Sequence, residues 1–256
     1  MSPAHRFLFE QMVRRELRQK YQGSALGLAW YLVNPLVLMG AYWFLFGVVL
    51  KPVQHDDYPL FLLVALVVWV FFSQSLLGAA PSLLDQGALI RKARFPRETI
   101  PATVVAVQAA VFLSVLALVA VLTLVVRGTP SLALLLLPVV LLALTAFTLG
   151  LALVVSVLHA HFRDVAPILS AALLPWFFLS PVFFEPADIA EDPAARFALE
   201  WANPVAPFIE GVRAILYDGR APSAATLAYV LGVAALALLV GRAVFRRLEP
   251  DLASLV

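Results

Sequence analysis

His159, His161 and Asp164 are the residues whose types come nearest to a metal-binding set in this chain of 256 residues. A metal site needs imidazoles converging on one point with a third strong ligand. Residues two apart on a helix point about 200° apart, and no third strong ligand lies nearby in sequence. The trio therefore reads as a short polar turn between apolar stretches. Other chemistry is missing by residue type. Cysteine is absent, which excludes disulfides, thiolate-bound zinc and iron–sulfur clusters on this chain. No GxxxxGK[ST] phosphate loop, HExxH or GxSxG occurs. The residues offer no cofactor site and no catalytic set, so the chain is not expected to be an enzyme.

The elements that carry these residues are written in the composition. Hydrophobic residues make up 62% and charged residues 13%, against roughly 25% charged in soluble domains. The mean hydropathy is +0.94. Several continuously apolar stretches reach the roughly 20 residues that cross a bilayer as a helix, whereas transmembrane strands alternate. The expected fold is an all-α integral membrane protein, one domain over residues 1–256. Six spans are expected at 28–50, 59–80, 102–126, 132–158, 165–184 and 225–245. The N-terminus is not a signal peptide, because the apolar stretch after Lys20 is too long and lacks a small-residue exit.

Charge falls between the spans. With both termini on one side, residues 1–27, 81–101, 159–164 and 242–256 share a face and hold 13 of the 18 Lys and Arg. The positive-inside rule makes that face cytoplasmic. The net charge of +2 and pI near 9.1 are no sign of nucleic acid, since distribution rather than sum carries the information here. The segment 81–101 is the longest inner interruption, with Arg91, Lys92, Arg94 and Arg97 in its second half. These cations either meet a partner or anchor the loop at the lipid surface. Leu89, Ile90 and Phe95 are apolar residues in that polar loop, suited to docking in a partner groove. Before the first span, Phe9, Val13, Leu17 and Tyr21 recur at i+4 with Gln11, Arg14, Arg15 and Arg18 on another side. That pattern fits an amphipathic interfacial helix over 1–27 or a charged flank that orients the first span.

The spans contain no ionisable side chain except Arg242 near the inner end of the sixth. Ion-coupled carriers usually hold such groups at mid-depth, so the driving force is expected from a partner. Aromatic and polar residues cluster instead. Tyr31, Asn34, Tyr42 and Trp43 lie in the first span, and Phe177, Phe178, Phe183 and Phe184 near the end of the fifth. Aromatic faces suit stacking on sugar rings; interfacial belts are the competing explanation. Residues 185–224 read as two short helices broken at Asn203-Pro204, dipping into the outer interface, or as an ordinary amphipathic loop. Glu210 and Arg213, three apart, are placed to pair.

Six stretches, in order, carry a resemblance. They are 14–35 (RRELRQKYQGSALGLAWYLVNP), 61–84 (FLLVALVVWVFFSQSLLGAAPSLL), 89–101 (LIRKARFPRETIP), 162–165 (FRDV), 178–183 (FLSPVF) and 203–216 (NPVAPFIEGVRAIL). Through them the chain resembles the ABC type-two permeases that export O-antigen, capsular polysaccharide and teichoic acid. The match is weakest over 51–58 and 185–200, outer segments where substrate differences could be expressed.

The resemblance implies a homodimer of six-span subunits joined to two copies of a separate ABC ATPase, which would bind ATP and Mg. It implies a multi-pass protein of the bacterial inner membrane with both termini cytoplasmic. The substrate implied is a lipid-linked polysaccharide, with further envelope export components left open. It implies an ATPase-coupling set of Leu84, Asp85, Leu89, Ile90, Arg91, Lys92, Arg94, Phe95, Pro96, Arg97 and Glu98, with Phe162, Arg163 and Asp164 as a second contact. It implies that the first and fifth spans line the path, and that re-entrant helices bearing Asn203, Pro204, Glu210 and Arg213 lie at the outer exit. An exporter of small drugs or lipids, or a non-transporting scaffold for envelope assembly, are the alternatives.

Overall fold

The computed structural model describes residues 3–21, 29–50, 57–92, 95–128, 131–189 and 191–255. Among them every regular element is helical. The first half of the chain forms α1 (Pro3–Tyr21), α2 (Ala29–Tyr42), α3 (Tyr58–Asp85), α4 (Gly87–Lys92) and α5 (Thr99–Arg127). The second half forms α6 (Leu137–His161), α7 (Val165–Leu179), α8 (Pro186–Ile189), α9 (Pro193–Phe197), α10 (Ala206–Leu216), α11 (Ala224–Leu248) and α12 (Leu252–Leu255).

A helix that is apolar all round belongs inside other helices rather than against one lipid face. The helix α3 meets that description, and every residue from Leu60 to Trp69 is buried. It packs against α2, α5, α6, α7 and α10. The surrounding helices turn their second faces outward, as with Leu118, Val121 and Val125 of α5 and Leu236 and Leu239 of α11. Such faces cost nothing in hydrocarbon. Ser75 Oγ is buried without a partner among the described residues, but threonine hydroxyls in the helix interiors are satisfied by their own backbone, since Thr103, Thr123, Thr145 and Thr148 each donate to the carbonyl four residues back. No water is needed there.

Among the described residues four helices are long and apolar enough to cross a membrane: Tyr58–Asp85, Thr99–Arg127, Leu132–His161 and Ala224–Asp251. The first and fifth expected spans depart from that pattern. The first is divided, α2 passing at Trp43 into a π-helical stretch, Trp43–Leu50. There the Trp43 ring lies over Gly47, where a Cβ would meet it at 2.9 Å. The fifth stops early, because Ser180 is extended before Pro181 and ends α7 at 15 residues. That is about 22 Å of helix. The expected loop 81–101 also shrinks. Pro81 is accommodated inside α3, which runs on to Asp85, and α5 already begins at Thr99.

The helix α1 follows its helical wheel, with Phe9, Val13 and Leu17 half-buried and Arg14, Arg15 and Arg18 exposed. It lies against α5. The closest helix pair is α6 with α11, which meet backbone to backbone at glycines. A Cβ on Gly150 would sit 2.3 Å from the Ala237 carbonyl, and one on Gly241 would sit 2.2 Å from the Gly150 oxygen. Small residues permit such approach.

Gly150→Ala is therefore expected to lower the melting temperature in detergent, by an overpacking cost of about 1–3 kcal/mol. Gly232→Ala, which meets nothing within 4 Å, should leave it level or slightly raised. An unshifted Gly150→Ala protein would contradict the glycine contact.

Candidate functional site

The end of the bundle that carries α4 is built by α3, α4, the turn into α5 and the ends of α6 and α11. Leu83, Ile90, Ile100, Leu153, Val157, Ala160, Phe245 and Leu252 form one apolar cluster, with Leu84 and Phe95 packed on it. Ile90 is only 5% exposed, so it holds α4 to the protein instead of offering a docking surface. Leu89 is half-buried and lines a small cavity with Met12, Arg15 and Glu16 of α1. The loop residues that face outward are Asp85, Arg91, Lys92 and Pro96; Arg94 lies outside the described residues. Arg97 and Glu98 turn to α11. The Arg97 Nη1 donates to the Glu249 carbonyl at 2.6 Å, and the Glu98 carboxylate meets Arg246 at 3.2 Å and Arg242 at 3.8 Å.

Val157 and Ala160 belong to the same cluster as Ile90, so α6 ends at the same end of the bundle as α4. The turn that follows exposes Phe162, 65% open, together with Arg163 and Asp164. The two histidines serve this turn separately. His159 Nδ1 accepts from the Ala166 N–H at 3.3 Å, while His161 Nδ1 lies 2.9 Å from the Val157 carbonyl.

At the opposite end, the early stop of α7 leaves carbonyls without helical partners. Three side chains from elsewhere take the carbonyls of Leu179 and of the segment that follows it. Asn203 donates to the Leu179 carbonyl and to Ser180 Oγ at 3.2 and 3.0 Å, and its Oδ1 accepts from Trp176 Nε1 at 2.9 Å. Arg213 Nη2 donates to the Pro181 and Val182 carbonyls at 2.7 and 3.2 Å. The Tyr58 hydroxyl donates to the Phe183 carbonyl at 2.8 Å. Pro204 is half-buried in the break before α10. Tyr58 was not among the residues singled out from sequence, and Ser180 entered only as part of the stretch 178–183; the signal was a buried polar group in need of a partner.

Arg213 does not pair with Glu210. The arginine is 2% exposed and its guanidinium stacks 3.7 Å above the Phe61 ring, with its Nη2 committed to the Pro181 and Val182 carbonyls just past α7. Nε and Nη1 find no hydrogen-bond partner among the described residues. Burial lowers the Arg213 pKa to about 10, and Glu185, Glu210 and Asp218 partly offset that fall. Glu210 lines a cavity of about 170 Å³ with Glu185, Arg196, Glu200 and Arg220. Burial pushes its carboxyl up to about 7; Arg213 opposes the rise, while Glu200 and Glu185 add to it.

The aromatic residues of the first and fifth expected spans meet. Tyr42 lies 5.6 Å from Phe177 and 4.9 Å from Phe183, ring centre to ring centre. Phe177 and Phe183 are buried and Phe184 is partly buried against the same core, whereas Trp43 and Phe178 keep exposed faces. The side chains of Tyr31 and Asn34 lie outside the described residues.

Glu210 sets a pH dependence. A glutamate ordinarily titrating near 4.5 and raised to about 7 keeps a proton in the folded protein that the unfolded chain releases. Between those values rising pH costs stability. Glu210→Gln should flatten the fall in melting temperature between pH 5 and 8. An identical fall in both proteins would contradict the buried carboxyl.

A model of the ABC-2 type transporter membrane family matches residues 8–217. The chain is 33% identical over 249 residues to the O-antigen export system permease protein RfbA of Myxococcus xanthus, covering 97% of this chain and 95% of that one. A Klebsiella pneumoniae protein of the same description is 28% identical over 255 residues, covering 95% and 93%. A second from Klebsiella pneumoniae is 29% identical over 209 residues, covering 77% and 80%. With its apolar membrane-length helices and a family match across most of its length, this multi-pass chain belongs to the ABC-2 type transporter family.

Proposed function

We propose that this chain is the permease subunit of an ATP-driven exporter that moves a lipid-linked polysaccharide outward across the bacterial inner membrane. The observation that carries the reading is the match over nearly the whole chain to O-antigen export permeases. In this reading six segments cross the bilayer: α2 with its π-helical continuation, α3, α5, α6, α7 and α11. The two short ones, α2 and α7, meet through Tyr42, Phe177 and Phe183. Both termini are cytoplasmic, as the concentration of Lys and Arg supports. The segment from α8 to α10 re-enters the membrane from outside and closes the exit, braced by Asn203 and Arg213 on the end of α7.

Two copies of the chain enclose the path, and two copies of a separate ATPase, binding ATP and Mg, drive it. Spans nearly free of ionisable groups suit a machine powered from outside the membrane. The ATPase seats against the inner end, where Asp85, Arg91, Lys92 and Pro96 face outward beside Phe162, Arg163 and Asp164. Of these Phe162 is the exposed large apolar residue, the type that anchors a docking surface. Trp43 and Phe178, with open ring faces, are the path residues placed to stack on sugars; Tyr31 and Asn34 share that assignment.

Phe162→Asp is the direct test of the seat. Co-expressed with its ATPase, the variant should keep its melting temperature but retain about tenfold less ATPase on purification, the loss of a single anchor. Undiminished co-purification would remove Phe162 from the interface.

A further inference from the structure

Arg97 and Glu98 lie in the loop that the exporter reading gives to the ATPase, yet both are turned inward to α11, about 150 residues away in sequence. Three observations join these parts. Glu98 is gripped from two successive turns of α11 by Arg242 and Arg246. Arg97 holds the backbone carbonyl of Glu249, just past the end of α11. Beneath them Leu252 and Phe245 are fully buried in the same cluster as Ile90 and Ile100, so the tail is fastened on its apolar side as well.

We propose that the inner loop and the end of α11 form one mechanical unit, in which Glu98, Arg242, Arg246 and Arg97 are positioning residues that carry loop movement into α11. The inference rests on the exporter reading and assigns these residues a task other than touching the ATPase. The apolar cluster supplies adhesion, while the charges fix alignment. With Arg246 71% and Arg242 58% exposed, the ion pairs add little stability; they set which turn of α11 the loop engages. The next link is already rigid. Movement delivered to α11 passes to α6 through the contact at Gly150 and Gly241, where the backbones leave no room to slide independently. A push on the loop would thereby reach two long helices at once.

The absence of native cysteine permits a clean test. Glu98→Cys with Arg246→Cys removes the clasp, and a bis-methanethiosulfonate linker replaces it covalently. Transport is read in inside-out membrane vesicles carrying the ATPase, as ATP-dependent protection of endogenous lipid-linked polysaccharide from added glycosidase. The wild-type chain, treated with the same linker, controls for reaction with the ATPase. The unlinked variant is expected to transport about five- to tenfold less per ATP hydrolysed, at an unchanged melting temperature, and the linker to restore at least half of the loss. Arg242→Gln with Arg246→Gln should reproduce the loss. Glu249→Ala, which keeps the carbonyl used by Arg97, should not. Wild-type coupling in the unlinked variant, or no recovery on linking, would overturn the proposal. A wild-type chain without ATP-dependent protection would instead sink the exporter reading beneath it.

Discussion

The enclosure of α3 is the constraint on which the rest depends. A helix with ten consecutive buried residues, Leu60 to Trp69, can exist only inside a ring of other helices. In a bilayer that ring needs no hydrophobic drive toward itself, because lipid is as apolar as leucine; close packing and satisfied polar groups must hold it. The ring is accordingly tight where it can be, at Gly150 and Gly241, and its interior threonine hydroxyls are spent on its own backbone. Both ends of the same helix then carry the sites. Tyr58 and Phe61 at one end hold the outer turn and the Arg213 guanidinium. Leu83 at the other anchors the cluster on which α4 sits.

The end opposite α4 is a consequence of one short helix. Because α7 ends at Leu179, its last carbonyl and those of the extended segment after it must find donors, and Asn203, Arg213 and Tyr58 supply them from three separate places in the chain. Polar residues thus tie α7, α10 and α3 into one block where a loop alone would be loose. The buried Arg213 keeps two donors without partners among the described residues, and the carboxylates around Glu210 stand close by. This end of the molecule buries its charge, while the end that carries α4 holds it in a solvated clasp.

Much of this was legible beforehand because membrane helices announce themselves by length and composition. The long helices appear near where apolar runs place them, and the break at Asn203-Pro204 falls between α9 and α10 as its proline suggests. What sequence could not supply was direction. Ile90 looked like an anchor for a partner because an apolar residue in a polar loop has no obvious home; its home is Phe245 and Leu252, far along the chain. Glu210 and Arg213 looked like a pair because local spacing is all a sequence displays, and the stronger claims on Arg213 came from Phe61 and the end of α7. Pro81 and Pro181 show the same limit: one is absorbed by a buried helix and the other ends a helix, although both are prolines beside serine.

Taken together, the packed ring, the exposed residues at the end that carries α4 and the family membership support the proposed export permease, which in that proposal is driven by a partner ATPase. The most direct measurement is transfer of lipid-linked polysaccharide across proteoliposomes that contain only this chain and its ATPase. Transfer that requires both chains and ATP hydrolysis is the predicted result. Transfer by this chain alone without ATP, or none with both chains and ATP present, would contradict it.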